Sequence, residues 1–119
     1  MDIYEALYTT RAMRRLRPDP IPLEVQARIL DAAIRAPHVG EQWRFLLIDD
    51  PAIKTPLADL YRQAWARLFE QMGVDLADLL QSDAPHGRAA RSGDHLARHF
   101  QDVPLVLVGF ARNRDGSGI

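Results

Sequence analysis

The sequence contains no cysteine. Disulfides, thiolate metal centres and cysteine nucleophiles are therefore excluded, and the chain suits a reducing compartment. No stretch approaches the roughly 18 to 20 consecutive apolar residues of a membrane span. The first residues also lack the charged and apolar regions of a signal peptide, so a cytoplasmic location is expected. Positive charge is not in excess: the formal net charge is −1. No aromatic residues interleave with the arginines to stack bases, and a nucleic-acid partner is not expected. Lysine is nearly absent, Lys54 standing alone among 15 basic side chains. With 119 residues, 47% of them hydrophobic, the chain can bury one modest core, which implies a single domain or a piece of one.

What is present is concentrated between Thr9 and Trp43. Arg11, Arg14, Arg15 and Arg17 crowd into the segment TTRAMRRLRPDPIP just after a short helical stretch. Arginine keeps its charge and offers a planar fork that matches phosphate oxygens, so several on one irregular segment can neutralise a dianionic phosphate. A solvated basic stretch accounts for the same residues equally well on charge alone. One helix later comes the turn Pro37-His38-Val39-Gly40-Glu41-Gln42. Its glycine permits close backbone approach, and its amides could face a flat ring. A lone histidine in a loop is more often a polar surface group than an acid or base, and His38 is given no catalytic role.

Around this region the pattern alternates helices and strands. Asp2 stands three residues before Glu5, the spacing of a capping box, and Ile3, Ala6 and Leu7 share a helical face. Pro18, Pro20 and Pro22 hold the chain extended. From Leu23 to Ala36, Val25, Ile29, Ala32, Ala33 and Ala36 recur at helical spacing, widened by Leu30 and Ile34, and predict a helix central to the core. The apolar run after Trp43 predicts a strand over 44–49 buried on both faces, with Trp43 as a packing anchor. Thr55-Pro56 reads as a cap and first turn, so the next helix is expected from there to Gly73. Trp65, Phe69 and Met72 on it would serve a dimer interface, a site cover or ordinary core. Residues 74–80 read as a short helix and 81–93, with Pro85, Gly87 and Gly93, as a loop without regular structure. Asp94 then caps a short helix carrying Leu96 and Phe100. His95 and His99 on it have a metal-binding spacing, but no helical glutamate or cysteine accompanies them, and a solvated helix is the preferred reading. A second buried strand is predicted within 103–110, its paired part at 105–110, with Pro104 tolerable at its start.

Taken together, TTRAMRRLRPDPIP, EVQARILDAAIRAP, QWRFLLIDDP and SGDHLARHFQDVPLVLVGFAR resemble the N-terminal half of the FMN-dependent nitroreductase family in order and spacing. The resemblance implies an α+β fold, a nitroreductase-like mixed sheet flanked by helices and truncated after the second strand. Residues 1–119 would form a single partial domain. It also implies FMN as cofactor, NAD(P)H as electron donor, a nitroaromatic, quinone or similar small molecule as acceptor, and a homodimer. Carried over by position, Thr10, Arg11, Ala12 and Arg14 would approach the FMN phosphate and ribityl chain. Pro37, His38, Val39, Gly40 and Gln42 would face the ring. Arg15 and Arg17 are left to solvent. Two departures stand out: Ala12 replaces the serine common in the family, and the turn is two residues shorter and lacks the usual asparagine. Because the cofactor performs the hydride chemistry, no catalytic side chain is required. The 119 residues alone are expected to bind FMN weakly at best and to self-associate. Two alternatives remain: a non-enzymatic remnant or binding module, and the flavin-fragmenting branch that makes dimethylbenzimidazole, whose PSVG-like turn resembles PHVG.

Overall fold

The computed structural model describes residues 2–36 and 43–111. Helix α1 spans Ile3–Thr9, α2 Leu23–Ala33, strand β1 Trp43–Ile48, α3 Pro51–Met72, α4 Leu76–Gln81, α5 Pro85–His99 and β2 Val106–Ala111, with a 3-10 turn at Phe100–Asp102 before β2. The architecture is mixed α+β, as expected. Two compact units share the chain: Met1–Leu16 with Ala58–Phe100, and Arg17–Leu57 with Gln101–Ile119.

In the second unit, β1 and β2 pair antiparallel in the register Trp43↔Ala111 to Ile48↔Val106. The strands fall within a residue or two of the predicted positions, but the expectation of burial on both faces is not met. Burial along β1 alternates, with Leu46 50% exposed and only Ile48 buried. A two-stranded antiparallel ladder with incomplete cover leaves alternate side chains open. The α2 helix starts at Leu23 as its pattern predicts and ends at Ala33, three residues short of the predicted end; none of its residues is buried, and Leu23, Ile29 and the C-cap Ile34 are exposed. Its predicted central place in the core is therefore not seen. Periodicity supplies an apolar stripe, whereas burial depends on what lies opposite it.

Helix α3 starts four residues before the predicted cap. The Asp50 carboxylate accepts from the Ala52 amide at 2.8 Å, and Pro51 takes the first helical position. Pro56 consequently lies inside the helix. It falls within the second turn, where the lost donor is less disruptive than at mid-helix, and the Thr55 hydroxyl donates to the Pro51 carbonyl at 2.9 Å. The C-terminus is a Schellman motif: Val74 N–H donates to Phe69 O, Gly73 N–H donates to Glu70 O, and Gly73 has φ +64°. Lys54, in the first turns of α3, is buried and donates to the Val103 carbonyl at 2.8 Å, tying the helix start to the segment that precedes β2.

The largest departure lies in the first unit. Residues 85–93, predicted as loop, are the first part of a 15-residue helix. Pro85 begins it rather than breaking a structure, and its buried residues are Gly87, Ala90, Gly93 and Ala97. The glycines read as breakers are contact points. A Cβ on Gly87 would lie 2.1 Å from the Ser82 carbonyl oxygen, and one on Gly93 would lie 2.3 Å from the Trp65 ring. Asp94 consequently sits within α5 rather than at its start. Instead α4 is capped by Asp75, whose carboxylate accepts from Ala77 and Asp78 amides. Arg91 of α5 donates to the Leu80 and Ser82 carbonyls at the end of α4. Phe69 is buried and meets Trp65 edge-on at 4.8 Å, so these two belong to the core of this unit, while Met72 is exposed.

Candidate functional site

The arginine segment is delivered by α1. The Asp2 carboxylate accepts from the Glu5 amide at 2.8 Å, capping the helix as its spacing predicted. At the other end the Thr10 amide and hydroxyl both donate to the Ala6 carbonyl, and Thr10 turns into extended backbone. The Thr10 hydroxyl proton is therefore already engaged with its own helix. Residues 10–22 carry no regular structure, in keeping with prolines at 18, 20 and 22.

Arg11 and Ala12 are exposed and Arg14 is half-buried. Among the described residues neither Arg11 nor Arg14 makes an ion pair. Arg17, which belongs to the other unit, pairs with Asp19 at 3.5 Å and is almost fully exposed. The ring-facing positions Pro37, His38, Val39, Gly40 and Gln42 lie outside the described residues. Trp43, next to them, is half-buried with its ring edge-on to Phe45 at 6.4 Å, the arrangement of a packing anchor. A shallow groove of about 320 Å³ runs along one face of α3, lined by Leu60, Gln63, Ala64, Arg67, Leu68 and Gln71. It takes in none of the predicted site residues.

Arg15 belongs to the electrostatic surroundings of His95. Its guanidinium lies close enough to His95 on α5 to oppose imidazole protonation. Desolvation is the largest influence holding His95 below its ordinary value, Arg15 and His99 add to it, and Asp94 works against it. His95 and His99 sit with ring centroids 4.4 Å apart. Arg98 and Asp94 form an ion pair at 2.7 Å beside them. With 81–93 read as loop, nothing in the pattern placed the arginine segment beside these histidines.

The chain thus combines a mixed α+β architecture with an irregular, arginine-bearing segment that follows its first helix. The chain belongs to the Nitroreductase family, which it matches over residues 7–116. It is 38% identical over 61 residues to a protein named NADH dehydrogenase from Thermus thermophilus, covering 50% of this chain and 30% of the relative. It is 33% identical over 64 residues to Protein DrgA from Synechocystis, covering 51% of this chain and 30% of that protein. Iodotyrosine deiodinase 1 from Rattus norvegicus is 30% identical over 64 residues, covering 52% of this chain and 22% of the deiodinase. The matched stretch thus spans less than a third of each of these relatives. No solved structure matches the chain. Among the described residues no helix is long and apolar enough to cross a membrane.

Proposed function

We propose that the chain contributes the phosphate-binding part of a flavin-dependent oxidoreductase that passes electrons from NAD(P)H through FMN to a nitroaromatic, a quinone or a similar acceptor. The observation that carries this reading is Arg11 and Arg14, which make no ion pair among the described residues, on a segment without regular structure within the residues that match the family. The chemistry of the donors fits FMN: two guanidinium groups can meet a dianionic phosphate with charge-assisted hydrogen bonds. The Thr10 hydroxyl proton is spent on Ala6, and Ala12 has no hydroxyl, so the arginines dominate the phosphate contact. Bound flavin supplies hydride transfer, while the protein's part is to hold the phosphate and ring and to exclude competing reactions. The relative named NADH dehydrogenase supports a nicotinamide donor. The assembly we favour is a cytoplasmic homodimer. Its support is the exposed apolar stripe of α2 and the two strands that, among the described residues, pair only with each other.

Titration of the purified chain with FMN and with riboflavin, followed by flavin fluorescence and visible absorbance, tests this. Arg11→Ala removes a charge-assisted contact worth about 1.5 to 3 kcal/mol, and FMN is expected to weaken by about tenfold or more. Riboflavin, which has no phosphate, should lose far less. Equal losses for the two ligands would remove the phosphate assignment. No FMN uptake even after a homologous C-terminal half is appended would favour a binding module or remnant instead.

A further inference from the structure

The pair of imidazoles on α5 stands apart from the flavin reading. His95 and His99 are four residues apart near the C-terminal end of the helix, on adjacent turns of one side, and their rings are 4.4 Å apart centre to centre with planes 34° from parallel. For two imidazoles sharing one ion, metal–nitrogen bonds of about 2.0 Å and a bond angle between about 90° and 110° place the ring centres roughly 4.5 to 5 Å apart. The observed centre-to-centre spacing of 4.4 Å lies just below that range. His99 is exposed and His95 half-buried, so an ion can reach the pair from solvent.

We propose that His95 and His99 form a two-point site for a divalent late transition-metal ion, with water completing its coordination. The donor set decides the class of ion. Two neutral nitrogen ligands suit Zn²⁺, Ni²⁺ or Cu²⁺ and not Mg²⁺ or Ca²⁺, which require oxygen. Asp94, the nearest carboxylate on the helix, is held by Arg98 at 2.7 Å and does not serve as a third ligand. Among the described residues no group of three His, Cys, Asp or Glu side chains converges, so those residues offer two protein ligands and leave positions for water. The helix under the histidines is anchored independently of them, because Gly87, Ala90, Gly93 and Ala97 occupy its buried face. A bound ion would therefore leave the fold unchanged. Arg15 acts against the ion: its charge opposes a cation at His95, and its removal strengthens the site.

The untagged chain titrated with Ni²⁺ or Zn²⁺ by calorimetry should show one saturable site per chain, and the imidazole proton resonances of His95 and His99 should move while those of His86 do not. Because the two imidazoles act as linked contacts, His95→Gln and His99→Gln should each weaken binding by at least about tenfold, with His86→Gln as a neutral control. Arg15→Gln should tighten it. The helical circular dichroism should be the same in all four variants, so that lost binding is not lost folding. Binding that persists unchanged in both His95→Gln and His99→Gln, the absence of any saturable site, or resonance shifts at His86 instead would each overturn the proposal.

Discussion

A methyl group added at Gly93 should destabilise the protein, although helix propensity alone says the reverse. Replacing glycine by alanine inside a helix ordinarily gains about 1 kcal/mol. Here the added Cβ would lie 2.3 Å from one ring carbon of Trp65 and 2.9 Å from another, well inside contact distance. The indole cannot swing freely aside, because it is half-buried and packs edge-on against buried Phe69 at 4.8 Å. Overpacking a fitted site costs about 1 to 3 kcal/mol, and with a rigid ring as the obstacle the upper part of that range applies. The net expectation for Gly93→Ala is a loss of about 1 to 2 kcal/mol, or about 4 to 8 °C in Tm for a chain of this length. Gly87→Ala should be worse, since its Cβ would meet a backbone oxygen, Ser82 O, at 2.1 Å. Urea and thermal unfolding of both variants measures this. Trp65→Phe shortens the ring, so in that background Gly93→Ala should become neutral or stabilising, and the double-mutant cycle should return a coupling energy above about 1 kcal/mol. A Gly93→Ala protein as stable as the parent or more so, with no coupling to Trp65, would refute the helical packing of residues 85–93.

Lys54→Met keeps the aliphatic stem but leaves the Val103 carbonyl without its buried donor, and a loss of about 1 to 3 kcal/mol is expected in the urea midpoint. Amide exchange in β2 should accelerate with it, and an unchanged exchange rate would show that the contact positions nothing. His95 is held below its ordinary imidazole value in the folded chain, so the unfolded chain binds the proton more readily. Its contribution to stability is thus complete above about pH 6.5 and falls away as pH drops through the folded value. With chelator present, His95→Gln should flatten the loss of stability between neutral and mildly acidic pH, and a variant with the parent's pH slope would contradict this assignment.

The family was legible in the residues because its marks are local runs of sequence: the arginine segment, the α2 pattern and the apolar runs of the two strands. Helix α1 was legible too, since its capping depends on residues three apart, and Asp2 does accept from Glu5 as that spacing requires. Local chemistry misled where a residue had two uses. Proline at 85 and glycine at 87 and 93 signal a loop when weighed singly, yet each suits a helix that begins at Pro85 and presses against Ser82 and Trp65. Only the neighbour's position decides between a breaker and a contact point. Thr55-Pro56 likewise has the composition of a helix start, but Asp50 offers its carboxylate one turn earlier and the helix begins there. Burial was the least legible property. Leu46, Ile29 and Ile34 carry the apolar pattern and remain exposed, because hydrophobic periodicity prepares a face and tertiary structure alone supplies or withholds its cover. The influence of Arg15 on His95 is of the same kind: a guanidinium and an imidazole some eighty positions apart in sequence come to affect one another only once the chain has folded.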